Sequence, residues 1–214
     1  TYIAIAAFYL AMLDGIKACV TSGKDLKALE AEISKEAGVE GFYLEKDRQY
    51  RTEEDVFEDF TPEERDHLFG KPPATVWENM CAFEAYPEKL AVLTGSGILK
   101  KEYAESFKQG ALIRWQTELL TRIIPENYQV VIDCKRLHSQ DFSTDLDLAL
   151  WNKIQNLRTK LAKDSFDTAS IFTCIRKAIA EGDYDTASEK QVEMAEIMLK
   201  LKKLYNQYKQ NIID

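Results

Sequence analysis

The sequence predicts a mainly α-helical fold. Apolar residues recur at steps of three and four over several long stretches, which is the spacing of one helix face. Helix start signals occur as well, such as Thr61 followed by Pro62 and acidic residues. Only residues 128–132 are rich in the residue types typical of strands. We therefore expect a multi-helix region with at most one or two short strands, followed by a helical hairpin or three-helix bundle.

The first helix is apolar on all sides. Its helically spaced residues include Leu10, Leu13 and Ile16, and apolar residues also occupy its other faces. Such a helix needs cover on all sides, so we expect burial of residues 2–13 against other helices or a second subunit. The apolar run is shorter than the roughly 20 residues that span a bilayer. It begins without a cap or signal-peptide pattern, which predicts that protein sequence lies upstream.

A second helix is expected over residues 24–37, with an apolar face and acids opposite. The acidic stretch 42–70 lacks apolar periodicity, which predicts a surface loop with one short helix after Thr61. Within this loop, we expect residues 42–60 to be mobile or irregular.

Two longer helices are expected next, over residues 76–93 and 100–124, and Thr75 can cap the first of them. Gly110 lies inside the second helix and weakens it.

The last region, residues 140–214, carries two apolar stripes with coiled-coil-like spacing. The stripes are Leu150, Ile154, Leu157, Leu161, and then Met194, Ile197, Leu201, Leu204, Tyr208. A shorter helix, residues 165–180, lies between them and is ended by Gly182, and Asp183 or Asp185 can cap the last helix. We therefore expect two domains, residues 1–139 and 140–214. The second either adds packing area or forms a surface for self-association or another partner.

Composition limits the possible partners and the compartment. The net charge is −8 and the pI is near 5.0, which argues against binding to nucleic acid or an anionic membrane. Cys19, Cys81, Cys134 and Cys174 are far apart in sequence, which fits free and mostly buried thiols in a reducing cytoplasm.

No residue is predicted to be catalytic, cofactor-binding or metal-binding. Cys134 and His138 would supply only two metal ligands. Asp141, Asp145 and Asp147 lack the Gly and the later Glu of a calcium loop, and acids at a helix start explain them equally well. The Gly-Ser-Gly turn at 95–97 lacks the Lys of a phosphate loop.

Three segments, in order, carry a family resemblance. Residues 1–17 read TYIAIAAFYLAMLDGIK, residues 76–90 read VWENMCAFEAYPEKL, and residues 125–132 read PENYQVVI. They resemble the segments NPYLALAALLAAGLDGIK, LEEALEALEADHEFL and PHPVEFELYY of glutamine synthetases. In the first segment, Thr1 departs from the family Pro, and Met12 from the usual Gly. The resemblance covers about 1–20 and 72–133.

The resemblance implies the C-terminal part of a glutamine-synthetase-like ATP-dependent carboxylate–amine (glutamate–ammonia) ligase of nitrogen metabolism. Its catalytic barrel, with ATP and Mg or Mn, would lie upstream, because the family's ATP, metal and glutamate motifs precede the first segment. This chain would then be inactive alone and have a structural, oligomer-building role in a cytoplasmic homo-oligomer. Its partners would be the upstream part of the same protein and further subunits, with no nucleic acid and no membrane.

Residues 56–64, VFEDFTPEE, resemble the NLYDLPPEE loop in which some bacterial enzymes of this family carry an adenylylated tyrosine. When one extra residue is allowed in this chain, Phe57 falls at the tyrosine position and has no hydroxyl to modify, while Tyr50 lies close by. Two alternatives to the ligase interpretation stay open. One is an independent helical protein–protein interaction module without catalytic activity, and the other is a helical enzyme whose site the sequence does not reveal.

Overall fold

The computed structural model describes residues 2–42, 44–139 and 143–210, and it confirms the mainly α-helical prediction. No strand occurs among those residues. The helices are α1 (Tyr2–Ser22), α2 (Leu26–Ile33), α3 (Pro62–Leu68), α4 (Val76–Ala85), α5 (Pro87–Thr94), α6 (Lys101–Glu118), α7 (Ile124–Asp133), α8 (Asp145–Ala162), α9 (Ile171–Glu181) and α10 (Tyr184–Gln210). A π-helical turn, Leu119–Ile123, joins α6 to α7.

The chain divides into two compact units. Unit 1 comprises Thr1–Pro73 and Ala82–Ser106, and unit 2 comprises Ala74–Cys81 and Phe107–Asp214. Helices α8, α9 and α10, which we expected to form a domain of residues 140–214, lie in unit 2 together with α7. Whether residues 140–214 fold alone stays a prediction.

In unit 1, α1 packs on α5, and most of its surface is exposed. Leu10 is the one buried residue of α1, all of which the structure describes, whereas Tyr2 is 89% exposed and Phe8 is 67% exposed. The expected burial of this helix against other helices of the chain is therefore wrong. The physical reason is that its neighbours in unit 1 cover only one side of it. Cover by another subunit stays a prediction.

The rest of unit 1 is built from short helices and turns. Helix α2 is shorter than the predicted 24–37: Asp25 caps its start by accepting the Ala28 N–H at 2.8 Å, and it ends at Ser34. The described residues between α2 and α3 form turns and bends without a helix, as expected for an irregular acidic stretch. Thr61 caps α3 and exchanges hydrogen bonds with Glu64, which confirms the predicted start signal.

The predicted helix 76–93 is two helices, α4 and α5, because Pro87 interrupts it. Tyr86, the residue before the proline, has φ −127° and ψ 63°, outside the helical region. Thr75 caps α4 as predicted, since its hydroxyl accepts the Glu78 N–H at 3.2 Å.

Helix α6 continues through the π turn into α7, so the predicted strand at 128–132 is wrong. Its β-branched residues are helical because tertiary packing outweighs local preference: Val131 is buried, and α7 packs on α8. Pro125 lies at the start of α7, directly after the π turn. In a regular α-helix its ring would clash with the carbonyl of residue 121 and remove one hydrogen bond, so the wider π turn suits this position.

The π turn also determines which residues of this helix face the core of unit 2. The buried residues Leu112, Trp115 and Leu119 follow helical steps of three and four. The next buried residue, Ile124, comes five positions after Leu119, and its N–H donates to the Leu119 carbonyl. The π turn thus adds one residue between the buried faces of α6 and α7.

Helices α8, α9 and α10 pack on one another, which confirms the three-helix bundle. Both predicted stripes face its core, with Ile154 and Leu161 buried on α8 and Met194, Ile197, Leu201 and Tyr208 on α10. Helix α9 adds Ile171, Ile175 and Ile179. Gly182 ends α9 with φ +75°, and Asp183 caps the start of α10 by accepting the Thr186 N–H at 3.1 Å.

Candidate interaction surfaces

An extended apolar surface lies on α1. Nine large apolar side chains of this helix are exposed: Tyr2, Ile3, Ile5, Phe8, Tyr9, Met12, Leu13, Ile16 and Val20. With 21 residues and a mean hydropathy of 1.8 in its most apolar part, α1 is the one helix of the described chain that is long and apolar enough to cross a membrane. This length corrects the expectation that the apolar run is too short to span a bilayer. Core helices of soluble proteins and signal sequences share this composition.

A small apolar crevice of about 180 Å³ lies beside α1 in unit 1. It is lined by Gly15, Ala18, Cys19, Leu29, Glu32, Ile33, Phe42 and Leu44. The single acid in this lining is already occupied, because Lys24 Nζ lies 2.6 Å from Glu32 and the Phe42 N–H also donates to it. These two hydrogen bonds lower the pKa of Glu32. The crevice therefore suits an apolar side chain rather than a polar ligand.

A groove between α8 and α10 combines lysines with an apolar floor. It has a volume of about 490 Å³ and is lined by Lys153, Asn156, Leu157, Lys200, Lys203, Leu204 and Gln207. No acid lines it, and none of its three lysines makes an ion pair with any residue that the structure describes. In a chain of net charge −8, this lysine groove is a local patch of positive charge.

Residues 53–59, EEDVFED, form an acidic turn in unit 1. Asp55 Oδ1 accepts the Phe57 N–H at 2.8 Å and the Glu58 N–H at 3.2 Å, and Asp59 Oδ2 accepts the Asp55 N–H at 2.8 Å. Phe57 projects from this turn and is 81% exposed, with the Arg65 guanidinium carbon 5.2 Å from its ring centroid. Phe57 is thus accessible, but it has no hydroxyl.

Of the two candidate metal ligands Cys134 and His138, His138 lies near Asp147. His138 Nε2 is 3.8 Å from Asp147 Oδ1 and has no hydrogen-bond partner among the described residues. Thr144 caps α8, and Asp147, an acid at the helix start, completes the capping box by accepting the Thr144 N–H at 2.9 Å. Burial raises the pKa of the Cys134 thiol, which disfavours the thiolate that a metal would need.

The structure assigns no metal site to the residues that it describes, since no three His, Cys, Asp or Glu side chains of that set could hold an ion together. Asp141, which the sequence places close to Asp145 and Asp147, lies outside the described residues. In the turn at 95–97, Gly95 ends α5 and the Ser96 hydroxyl accepts the Ile98 N–H, so its polar groups close a local turn. Cys19, Cys134 and Cys174 are free thiols, as expected, but Cys19 is exposed, and Cys134 is the one of the four cysteines that is buried.

The lysine groove was not predicted from the sequence. Lys200 and Lys203 lie one turn apart on α10, beside the stripe residue Leu204, and Lys153 precedes the stripe residue Leu157 on α8. This placement beside two apolar stripes was a usable signal. These residues form a groove only because of the register in which α8 and α10 pack.

Comparison with known proteins finds no match. No protein-family model, no curated protein and no solved structure is significantly similar to this chain. The resemblance to glutamine synthetases therefore stays a prediction from the sequence.

Proposed function

We propose that this chain is the C-terminal part of a glutamine-synthetase-like ATP-dependent carboxylate–amine ligase, in which it has a structural and oligomer-building role. The structural support is the surface of α1, with its nine exposed large apolar side chains. Removing each such side chain from water is worth roughly 1.5–3 kcal/mol. An apolar surface of this extent is typical of an interaction site.

The upstream part of the same protein, contributed across a contact between subunits, is the proposed cover for α1. In this proposal ATP and Mg or Mn bind upstream, the whole protein is a cytoplasmic homo-oligomer, and the isolated chain is inactive. The alternative is an independent helical interaction module, in which a different protein covers α1.

A membrane is the competing cover for α1, but the charged residues of α1 argue against insertion into a membrane. Asp14 lies near the middle of the helix and Lys17 follows one turn later. A charged residue at the centre of a spanning helix costs about 2.5–3.5 kcal/mol on insertion scales. In a protein interface, by contrast, both side chains can lie at the edge of the apolar surface.

The first test uses Cys19, which is exposed on α1. A maleimide should label Cys19 at least tenfold more slowly in the protein expressed from its full reading frame than in the isolated chain, with Cys174 of α9 as the internal reference. The full protein should also release phosphate from ATP when glutamate and ammonia are present, and the isolated chain should not. Equal labelling of Cys19 in both proteins, or phosphate release by the isolated chain, would overturn the proposal.

A matched pair of substitutions tests the same surface. Phe8→Asp on α1 and Leu199→Asp on α10 place the same charge at side chains that are 67% and 71% exposed. Neither should unfold the isolated chain, as judged by circular dichroism. In the full protein, only Phe8→Asp should disturb assembly, measured by light scattering after gel filtration. If lipid vesicles bind the isolated chain but do not bind its Phe8→Asp variant, a membrane is the cover for α1 instead.

A further inference from the structure

We propose that the lysine groove between α8 and α10 binds the acidic turn, residues 53–59, of a second copy of the chain. This inference goes beyond the structural role proposed above and does not depend on what lies upstream.

The groove has the chemistry of a site for an acidic segment with a large apolar side chain. Lys200 and Lys203 on α10 and Lys153 on α8 surround a floor that contains Leu157 and Leu204. The helix dipole does not explain the two lysines of α10, because Lys203 is seven residues and Lys200 ten residues before the last helical residue, Gln210. The dipole acts mainly within the last turn.

The acidic turn offers the complementary surface. It carries five carboxylates in seven residues, and none of them forms an ion pair with a described residue. Carboxylates at the rim would meet the lysines, while Phe57 would enter between them onto the apolar floor. This pairing combines long-range attraction with burial of an aromatic side chain.

The acidic turn is also prepared for binding. Hydrogen bonds to Asp55 and Asp59 already fix its backbone, and they leave Phe57 exposed. A segment held in its binding conformation loses less conformational entropy on association. Each copy carries one acidic turn and one groove, so the pairing is satisfied by a reciprocal pair or by a head-to-tail series.

The test reverses charge on each side. The groove variant is Lys200→Glu with Lys203→Glu, and the turn variant is Glu54→Lys with Glu58→Lys. All four side chains are exposed, and Asp55 and Asp59, which hold the turn together, are left intact. A labelled peptide of residues 51–61 is titrated with the full chain, and its fluorescence anisotropy is measured at about 50 mM and 300 mM salt, where screening differs strongly.

The peptide should bind the unmodified chain, and the groove variant should bind it at least tenfold more weakly. The charge-reversed peptide should bind the groove variant and not the unmodified chain. A Phe57→Ala peptide should bind the unmodified chain about tenfold more weakly, in line with the loss of a buried aromatic anchor, and high salt should weaken every complex. Peptide binding that is unchanged in the groove variant overturns the proposal.

Association of whole chains gives the second measurement. Energy transfer between labelled copies should fall for either variant alone and return when the two reversals are combined in one chain. Association through α1 is insensitive to these substitutions, so failure of this contact and failure of the proposed function are distinguishable. If the groove binds the peptide but neither variant changes association between copies, the occupant is an acidic segment of another protein and the proposal is wrong.

Discussion

At the scale of single residues, Glu193 shows how charge contributes to the bundle of unit 2. Lys160 Nζ on α8 lies 2.6 Å from Glu193 Oε1, and Lys190 Nζ lies 2.8 Å from Glu193 Oε2. Hydrogen bonds from Lys160 and then from Lys190 lower the pKa of Glu193. The carboxylate therefore links α8 to α10 in its charged form.

Replacing this carboxylate should change how stability depends on pH. Because the pKa of Glu193 is lowered in the folded state, its stabilisation is complete above the unfolded value of about 4.3 and is lost as pH falls through the folded pKa. Glu193→Gln should reduce the free energy of unfolding by about 0.5–1 kcal/mol at pH 7 and have little effect at low pH. Urea denaturation at both pH values measures this. Glu196→Gln, at an exposed acid of the same helix, is the control. It should change neither the free energy of unfolding at pH 7 nor its dependence on pH.

Leu201 tests the apolar core of the same bundle. It is fully buried on α10, whereas Leu199, two residues earlier, is 71% exposed. Leu201→Ala should reduce the free energy of unfolding by about 2–5 kcal/mol, because it removes buried methyl groups and leaves a cavity. Leu199→Ala should change it by less than about 0.5 kcal/mol. Similar losses for both variants in chemical denaturation would show that the stripe does not face the core.

At the scale of single elements, two glycines separate the effect of backbone conformation from that of space. A Cβ would meet nothing within 4 Å at either Gly110, inside α6, or Gly182, which ends α9 with φ +75°. Gly110→Ala should therefore stabilise the chain by about 0.5–1 kcal/mol. Gly182→Ala should destabilise it by about 1–2 kcal/mol, since its conformation is left-handed. Thermal melts that shift in the same direction for both variants would contradict this account.

The elements that the sequence predicted well depend on neighbouring residues. Thr61, Thr75 and Asp183 each cap a helix through a hydrogen bond to a residue three positions later, so short sequence windows contain the whole signal. The prediction of a strand at 128–132 was wrong because burial of Val131 in unit 2, rather than local preference, determines the conformation of this segment. The extent of cover on α1 likewise depends on partners far along the chain or outside it.

At the scale of the whole molecule, the bundle of α8, α9 and α10 is tied to the residues before it. The Tyr205 hydroxyl accepts the Lys135 N–H at 3.2 Å, and the Tyr208 hydroxyl accepts the Leu137 N–H at 3.2 Å. Arg158 Nε donates to the Val131 carbonyl at 2.9 Å. The candidate lysine groove also belongs to this scale, because it requires the paired register of two helices that are distant in sequence.

Two fragments test how far the bundle is self-sufficient. Residues 140–214 should give a helical circular dichroism spectrum and a cooperative melt, because the three helices bury their stripes against one another. Residues 107–214 should melt at least about 5 °C higher, since they retain the contacts of α7, and roughly 1 kcal/mol shifts the midpoint by this much. An unfolded 140–214 fragment would show that the bundle needs α7, and equal midpoints would show that α7 adds no stability.

The π turn between α6 and α7 has a consequence for the ancestry of this chain. A five-residue step from Leu119 to Ile124 is what a single-residue insertion into an ordinary helix would leave, with the buried positions on both sides preserved. Homologues with the ancestral length should therefore align to this chain with a one-residue gap between positions 119 and 123. Those shorter homologues should also lack Pro125, because an uninterrupted α-helix would place its ring against a backbone carbonyl. The gain of one residue and the gain of that proline are expected to be inherited together.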